Sequence, residues 1–255
     1  MLTDVGLIYG RELRQRIRQP AWLVMSFATP LLYMFFFGPL LKKYVQYTPG
    51  FPPGGLWTIF APALMLQMVI VGSSYVGVGL LTEYRSGVFH RFQVTPIRPV
   101  ALLLGKVLAD ASNVVVQCGL IMMLCWAVFH LRLSILGTTA ALVIAAVLSV
   151  VLSCCSCALA LLLKSEQALP TVLNALLLPL LLLSGTLLPI TSALAPSWLY
   201  DVSRLNPVAY VMDLDRNVFR GDFSLNANWL GVAILIAVTF LSMSWAMRTY
   251  NRQAT

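Results

Sequence analysis

Apolar positions gather into long unbroken stretches separated by short polar connections, and several stretches reach the roughly 20 residues that a helix needs to cross a ~30 Å hydrocarbon core. Windows of about 19 residues place six crossings over 21–41, 57–81, 101–129, 135–163, 169–190 and 229–247. The expected fold is an all-α polytopic membrane protein with six transmembrane helices. An amphipathic segment (1–20) leads into a six-span body (21–255), and no internal repeat is visible. The first apolar run begins only near Trp22, with no small-residue cleavage site after it, so it is expected to stay as a span.

Composition sharpens this picture. The 255 residues are 59% hydrophobic and 10% charged, whereas an average soluble domain carries about 25% charged residues. A water-facing surface could scarcely be assembled from such a list. The formal charge of +8 fits basic residues collecting near anionic headgroups, and no soluble basic domain exists to bind nucleic acid. All five cysteines lie in apolar stretches without paired ligand spacing, as packing residues would.

An even number of spans puts both termini on one side. With that side cytoplasmic, Arg11, Arg14, Arg16, Arg18, Arg85, Arg91, Arg98, Lys106, Lys164, Arg248 and Arg252 are inside. Lys42, Lys43, Arg132, Arg204, Arg216 and Arg220 are outside, the last three among Asp201, Asp213, Asp215 and Asp222. The bias places the termini in the cytoplasm of a plasma (inner) membrane protein.

Three segments outside the spans carry further information. Over 4–18, Leu2, Val5, Tyr9, Leu13 and Ile17 share one arc and Arg11, Arg14 and Arg18 the opposite one, which predicts a helix flat on the inner leaflet. It serves as an anchor, as a contact for a cytoplasmic partner, or as both. Between spans two and three, residues 83–96 combine cytoplasmic charges with apolar Val88, Phe89, Phe92 and Val94. This reads as a short helix closed by Thr95-Pro96 and docked on another protein through Phe89 and Phe92, or as a membrane-hugging loop. In 191–228, Asn206-Pro207 is a good helix start and Gly221 a good stop. A helix over 207–220 follows, and Trp198, Tyr200, Tyr210 and Trp229 match an interfacial belt; the segment is a passive external loop or a structure lying on or dipping into the outer leaflet.

Catalytic chemistry is nearly absent. A phosphate cradle of the form G-x-x-x-x-G-K-[ST] fails around Gly105-Lys106, where positions 100 and 107 are both valine. His90 and His130 fall in connections, away from any serine nucleophile in a span, and no metal-ligand spacing occurs. Asp110 stands one turn beyond Lys106, where a local i, i+4 pair is the first reading. Asp110, Asn113 and Gln117 form a polar stripe that faces protein or a water-filled route. In the second span Met65, Met68 and Gly72 share a face, with Ser73 and Gly77 nearby. Small residues there suit close packing, while methionines and Phe60 would also make an adaptable wall for apolar ligands.

The sequence resembles the permease subunits of ABC-2-type exporters, in the branch that includes daunorubicin-resistance and nodulation-factor export permeases. The resemblance rests on Glu83-x-Arg85-x-Gly87, Thr95-Pro96, Gly105-Lys106, the Pro179-to-Pro189 stretch with Ser184-Gly185, and Leu205-Asn206-Pro207-x-x-Tyr210, and it covers essentially the whole chain. The family's Gly-Thr-x-Glu is here Gly87-Val88-Phe89-His90.

The resemblance implies a transport subunit without a cofactor of its own. Two permease copies, or this chain and a paralogue, would assemble with two cytoplasmic ABC ATPase subunits that bind ATP and Mg. Residues 4–18, with Arg11, Arg14 and Arg18, would be the connecting helix. Glu83, Arg85, Gly87, Phe89, Arg91, Phe92, Thr95 and Pro96 would form the ATPase-coupling segment. A path bordered by Phe60, Met65, Met68, Asn113, Gln117, Leu180 and Leu183 would carry an apolar or amphipathic drug or lipid-like substrate outward, and Asn206, Pro207 and Tyr210 would belong to an external gate. An ATP-independent carrier or channel and a non-transporting assembly subunit are the rival readings.

Overall fold

The computed structural model of the chain describes residues 2–18, 27–40, 56–85, 99–129, 134–186, 190–191 and 195–254. Every regular element among them is a helix. In chain order they are α1 (Leu2–Ile17), α2 (Phe27–Leu40, with a π-turn over Tyr33–Phe37), α3 (Leu56–Ser74), α4 (Val76–Arg85), α5 (Pro99–Phe129) and α6 (Ile135–Leu163). They continue as α7 (Ala168–Leu183), α8 (Ser197–Ser203), α9 (Pro207–Phe219) and α10 (Leu225–Ala254).

Four helical stretches, Leu56–Glu83, Val100–Val128, Ile135–Leu163 and Leu225–Arg252, are long and apolar enough to cross a membrane. They fall on the second, third, fourth and sixth expected crossings. The first and fifth crossings correspond to the shorter apolar helices α2 and α7. The 16 residues of α7 rise about 24 Å at ~1.5 Å each, short of a full bilayer core. On its own it is an incomplete span.

Helix α6 is the hub, packing against α3, α4, α5, α7, α9 and α10. Its buried positions explain why, since Gly137, Ala141, Ala145, Ser149, Ser153, Ser156, Ala158 and Ala160 are all small. Between apolar helices in lipid no hydrophobic force draws helices together, so close approach through small residues and interhelical hydrogen bonds supplies the adhesion. The second crossing breaks at Tyr75, between α3 and α4, and Ser156 fills the break. Its hydroxyl donates to Ser74 O and accepts from the Gly77 amide at 2.9 Å. A Cβ on Gly77 would lie 2.6 Å from the Ser156 carbonyl carbon, so only glycine fits there.

Helix α6 also sets the long axis of the molecule. Near its start, a Cβ on Gly137 would meet Val218 O of α9 at 2.9 Å. Toward its end, Cys154, Cys157 and Leu161 share a core cluster with Ile8 of α1 and with Leu103 of α5. The bundle thus has an α1 end and an α9 end. Its outer faces are strongly apolar, with Val116, Met123 and Trp126 of α5 and Phe240 and Leu241 of α10 all more than half exposed. Such surfaces suit lipid or another membrane subunit and not water. The cysteines are all free, four of them buried.

Candidate functional site

At the α1 end, charge is buried and paired. Glu12 and Lys106 are buried, and Lys106 Nζ lies 2.8 Å from Glu83 Oε2 and 3.7 Å from Glu12 Oε1. Arg11 bridges the same two carboxylates at 2.6 and 2.9 Å. Among the described residues, two cations and two anions from α1, α4 and α5 thus meet in one charge-compensated cluster. An unpaired charge would be expensive there, whereas a compensated group is tolerated. Burial pushes the Glu12 carboxyl up, but Lys106, Arg11 and Arg16 outweigh it and hold the group below its usual 4.5.

This geometry corrects two sequence expectations. Arg11 does not face away from the bundle with Arg14 and Arg18, because the packed side of α1 runs through Ile8 and Glu12 and turns Arg11 toward Glu83; Arg14 and Arg18 are exposed. The local Lys106–Asp110 pair does not form either. Asp110 instead accepts from Arg16 Nη1 at 2.9 Å and from Ser153 Oγ at 2.8 Å, joining α1, α5 and α6. The Arg16 and Glu83 charges reach in from other helices and outcompete the neighbouring turn. Room for α1 comes from Gly105, where a Cβ would lie 2.7 Å from the Ile8 side chain.

Arg85, at the end of α4, donates to Lys164 O at 3.2 Å. Lys164 caps α6 in the left-handed conformation, with φ 49°. The first two residues of the expected coupling segment, Glu83 and Arg85, thereby fasten it to α1, α5 and α6. Gly87, Phe89, Arg91, Phe92, Thr95 and Pro96 lie outside the described residues.

Above the Arg16–Asp110 pair opens a cavity of about 260 Å³ between α1, α2, α3 and α5. Met68, Asn113 and Gln117 line it, together with Gln67, Val71 and Gly72. Gln67 Oε1 is buried in the cavity wall without a hydrogen-bond partner among the described residues. Such an acceptor favours a ligand or water that donates to it. Tyr75, also on the wall, donates to Asn174 Oδ1 of α7 at 2.7 Å. Phe60 and Met65 are instead packed in the main core, Leu180 packs against that core and Leu183 is half-buried at the end of α7. These four lie outside the cavity.

At the α9 end the expected helix start is present. The Asn206 side chain accepts from Val208 N at 3.0 Å, Pro207 occupies the first turn, and Gly221 follows the helix with φ 86°. The same Asn206 donates from Nδ2 to Leu180 O at 2.8 Å, and Arg216 Nη2 donates to Gly185 O at 2.6 Å. Carbonyls at the C-terminal end of a helix lack intrahelical partners and carry partial negative charge. Leu180 O already accepts from the Ser184 amide at 3.1 Å, so Asn206 adds a second hydrogen bond at that end of α7, and Arg216 bonds Gly185 O just beyond it. Tyr210 packs under the Arg204 guanidinium at 5.2 Å, and Arg204 pairs with Asp213 at 2.8 Å. Asp215 and Arg216, read from sequence as external charges, are buried at 0% and 4% exposure. Burial pulls Arg216 down to about 10, which still leaves it charged at neutral pH, and lifts the Asp215 carboxyl well above its usual 3.8.

Sequence reasoning missed Glu12, Arg16, Ser153, Ser156 and Asp215. For Asp215 a signal was present: it continues the apolar face of Val208, Val211, Met212 and Val218 at helical spacing.

A body whose described elements are all helices, several of them long and apolar enough to cross a membrane, is that of a multi-pass membrane protein. The profile of the ABC-2 type transporter family matches residues 3–220, and the chain belongs to that family. It is 26% identical over 258 residues to the putative transport permease ycf38 of Cyanophora paradoxa, an alignment covering 95% of this chain and 81% of the relative. It is 25% identical over 182 residues to the daunorubicin resistance ABC transporter permease protein DrrB1 of Streptomyces coeruleorubidus, covering 71% of this chain and 62% of that protein. This chain is a membrane transport permease subunit, not a catalytic enzyme.

Proposed function

We propose that this chain is the permease of an ATP-driven exporter, working as one of two permease copies or paralogues with two separate cytoplasmic ATPase subunits that bind ATP and Mg. The observation that carries the reading is the continuity of the α1 end. Glu83, at the entry to the 83–96 connection, is ion-paired to α1 and α5, and Arg16 of α1 pairs with Asp110 in the cavity wall. A partner that displaces the 83–96 connection from the cytoplasm therefore pushes on the helices that border the cavity.

In this mechanism, closure of the ATPase pair moves 83–96 together with α1. The second and third crossings tilt, and the pathway passes from inward-open to outward-open as α9 is displaced from the end of α7. Differential contact of the partner with the two states couples ATP hydrolysis to movement. The cavity joins apolar Met68, Val71 and Val114 to amide-bearing Gln67, Asn113 and Gln117, a lining suited to an amphipathic drug or lipid-like molecule. A relative named for daunorubicin resistance favours a drug-like member of that class. Six crossings and cytoplasmic termini in the plasma membrane belong to the same reading.

The experiment is reconstitution of the chain with a co-purifying ATPase in vesicles. ATP-dependent accumulation of an amphipathic dye is expected, and Phe89→Ala with Phe92→Ala should abolish it while hydrolysis and membrane insertion persist. Dye movement without any ATPase, or full export by the double variant, refutes the assignment.

A further inference from the structure

Asp215 is the one fully buried carboxyl on α9, and it stands on the apolar face of that helix. Helices α3, α6 and α10 pack on α9, and Val211, Met212, Leu214 and Val218 around it belong to the main core. Neither carboxyl oxygen has a hydrogen-bond donor among the described residues. The adjacent guanidinium favours the ionised form by its charge, but burial outweighs it, and Arg216 donates Nη2 to Gly185 O and Thr186 O at the end of α7 and not to the carboxyl.

The titratable groups near Asp215 can be enumerated. On α9 they are Tyr210, Asp213 and Arg216, with Arg220 directly after the helix, and from α5 Cys118 lies close enough for Asp215 to act on it. Helices α3 and α7 contain no titratable residue. Those of α6 are Cys154, Cys155 and Cys157 toward the α1 end, and those of α10 are Arg248, Tyr250 and Arg252 near its C-terminus. Nothing in this set donates a hydrogen bond to an ionised Asp215. A carboxylate with no donor in an apolar setting is costly enough that the group takes up a proton instead.

We propose that Asp215 is a proton-binding site of the α9 segment, a neutral carboxylic acid while α9 is seated on the bundle and an ionised carboxylate once α9 lifts into water. On lifting, the O–H bond breaks, its electron pair stays on the carboxylate and the proton passes to water. Reseating takes one proton back. The sign follows from linkage, since the seated state binds the extra proton. Raising pH above the ordinary carboxyl range therefore shifts the equilibrium toward the lifted state, by up to tenfold per pH unit, until the seated group itself titrates. Acidification on the α9 side seats the helix. The proton site rests on burial and hydrogen bonding, and the lifted state of α9 rests on the export mechanism proposed above.

The test uses the full chain in lipid nanodiscs. Infrared difference spectra between wild type and Asp215→Asn at neutral pH should show a protonated carboxylic acid C=O band that the variant lacks. A hydrophobic carbodiimide, which reacts with protonated carboxyls in apolar surroundings, should label wild-type Asp215 by peptide mass mapping; this readout needs no variant to fold. Resistance to SDS unfolding should fall with rising pH in wild type relative to Asp215→Leu. Carboxylate bands alone for Asp215 at neutral pH, or no carbodiimide adduct, overturn the proton site. Parallel pH profiles of wild type and Asp215→Leu overturn the link to seating.

Discussion

The buried cluster at the α1 end offers a quantitative test in Lys106→Met. Methionine keeps the length of the Lys106 stem but removes the ammonium that sits 2.8 Å from Glu83 and 3.7 Å from Glu12. Among the described residues, Arg11 is then the cation left ion-paired to the two carboxylates in a largely buried site. Removing one partner of a buried pair costs about 3–5 kcal/mol. The side chains of Glu83 and Arg11 retain 20% and 36% exposure, so water screens part of the loss and the expected destabilisation is about 2–3 kcal/mol. Adding Glu83→Gln restores neutrality, because Arg11 and Glu12 remain paired at 2.9 Å. The double variant should regain most of the loss, with a coupling energy of about 2 kcal/mol. SDS titration in mixed micelles, followed by circular dichroism on wild type, both single variants and the double variant, measures this cycle. Additive single effects, or a Lys106→Met protein as stable as wild type, would refute the reading that these groups compensate one another.

Two further predictions test the same structure elsewhere. Gly77→Val should fail to yield monodisperse protein by size-exclusion chromatography, because overpacking a close helix contact costs about 1–3 kcal/mol or more and the Ser156 backbone cannot yield. Gly72→Ala, with nothing within 4 Å of its added Cβ, should behave as wild type. The lowered Glu12 carboxyl gives a pH signature as well. Its stabilising contribution is complete above 4.5, its ordinary value, and is lost as pH falls through the depressed value of the folded protein. Wild type should therefore lose resistance to SDS on acidification below that point more steeply than Glu12→Gln. Equal slopes would remove Glu12 from the cluster.

The sequence by itself determined what depends on neighbours along the chain. Runs of apolar residues located the second, third, fourth and sixth crossings, Asn206-Pro207 and Gly221 set the limits of α9, and Asp110, Asn113 and Gln117 were placed on one face because helical spacing alone dictates it. The missing phosphate cradle around Gly105-Lys106 was equally local. Tertiary structure decided which charge meets which. Lys106 pairs with Glu83 across 23 positions and Asp110 with Arg16 across 94, choices that no turn-by-turn spacing encodes. The same holds for Ser156 filling the break at Tyr75 and for Arg216 reaching the end of α7. It holds also for Asp215, whose place on an apolar face was legible but whose burial required α3, α6 and α10 to close around it. Periodicity fixes the direction of a side chain from its own helix axis, whereas burial and pairing depend on what the other helices bring to that point.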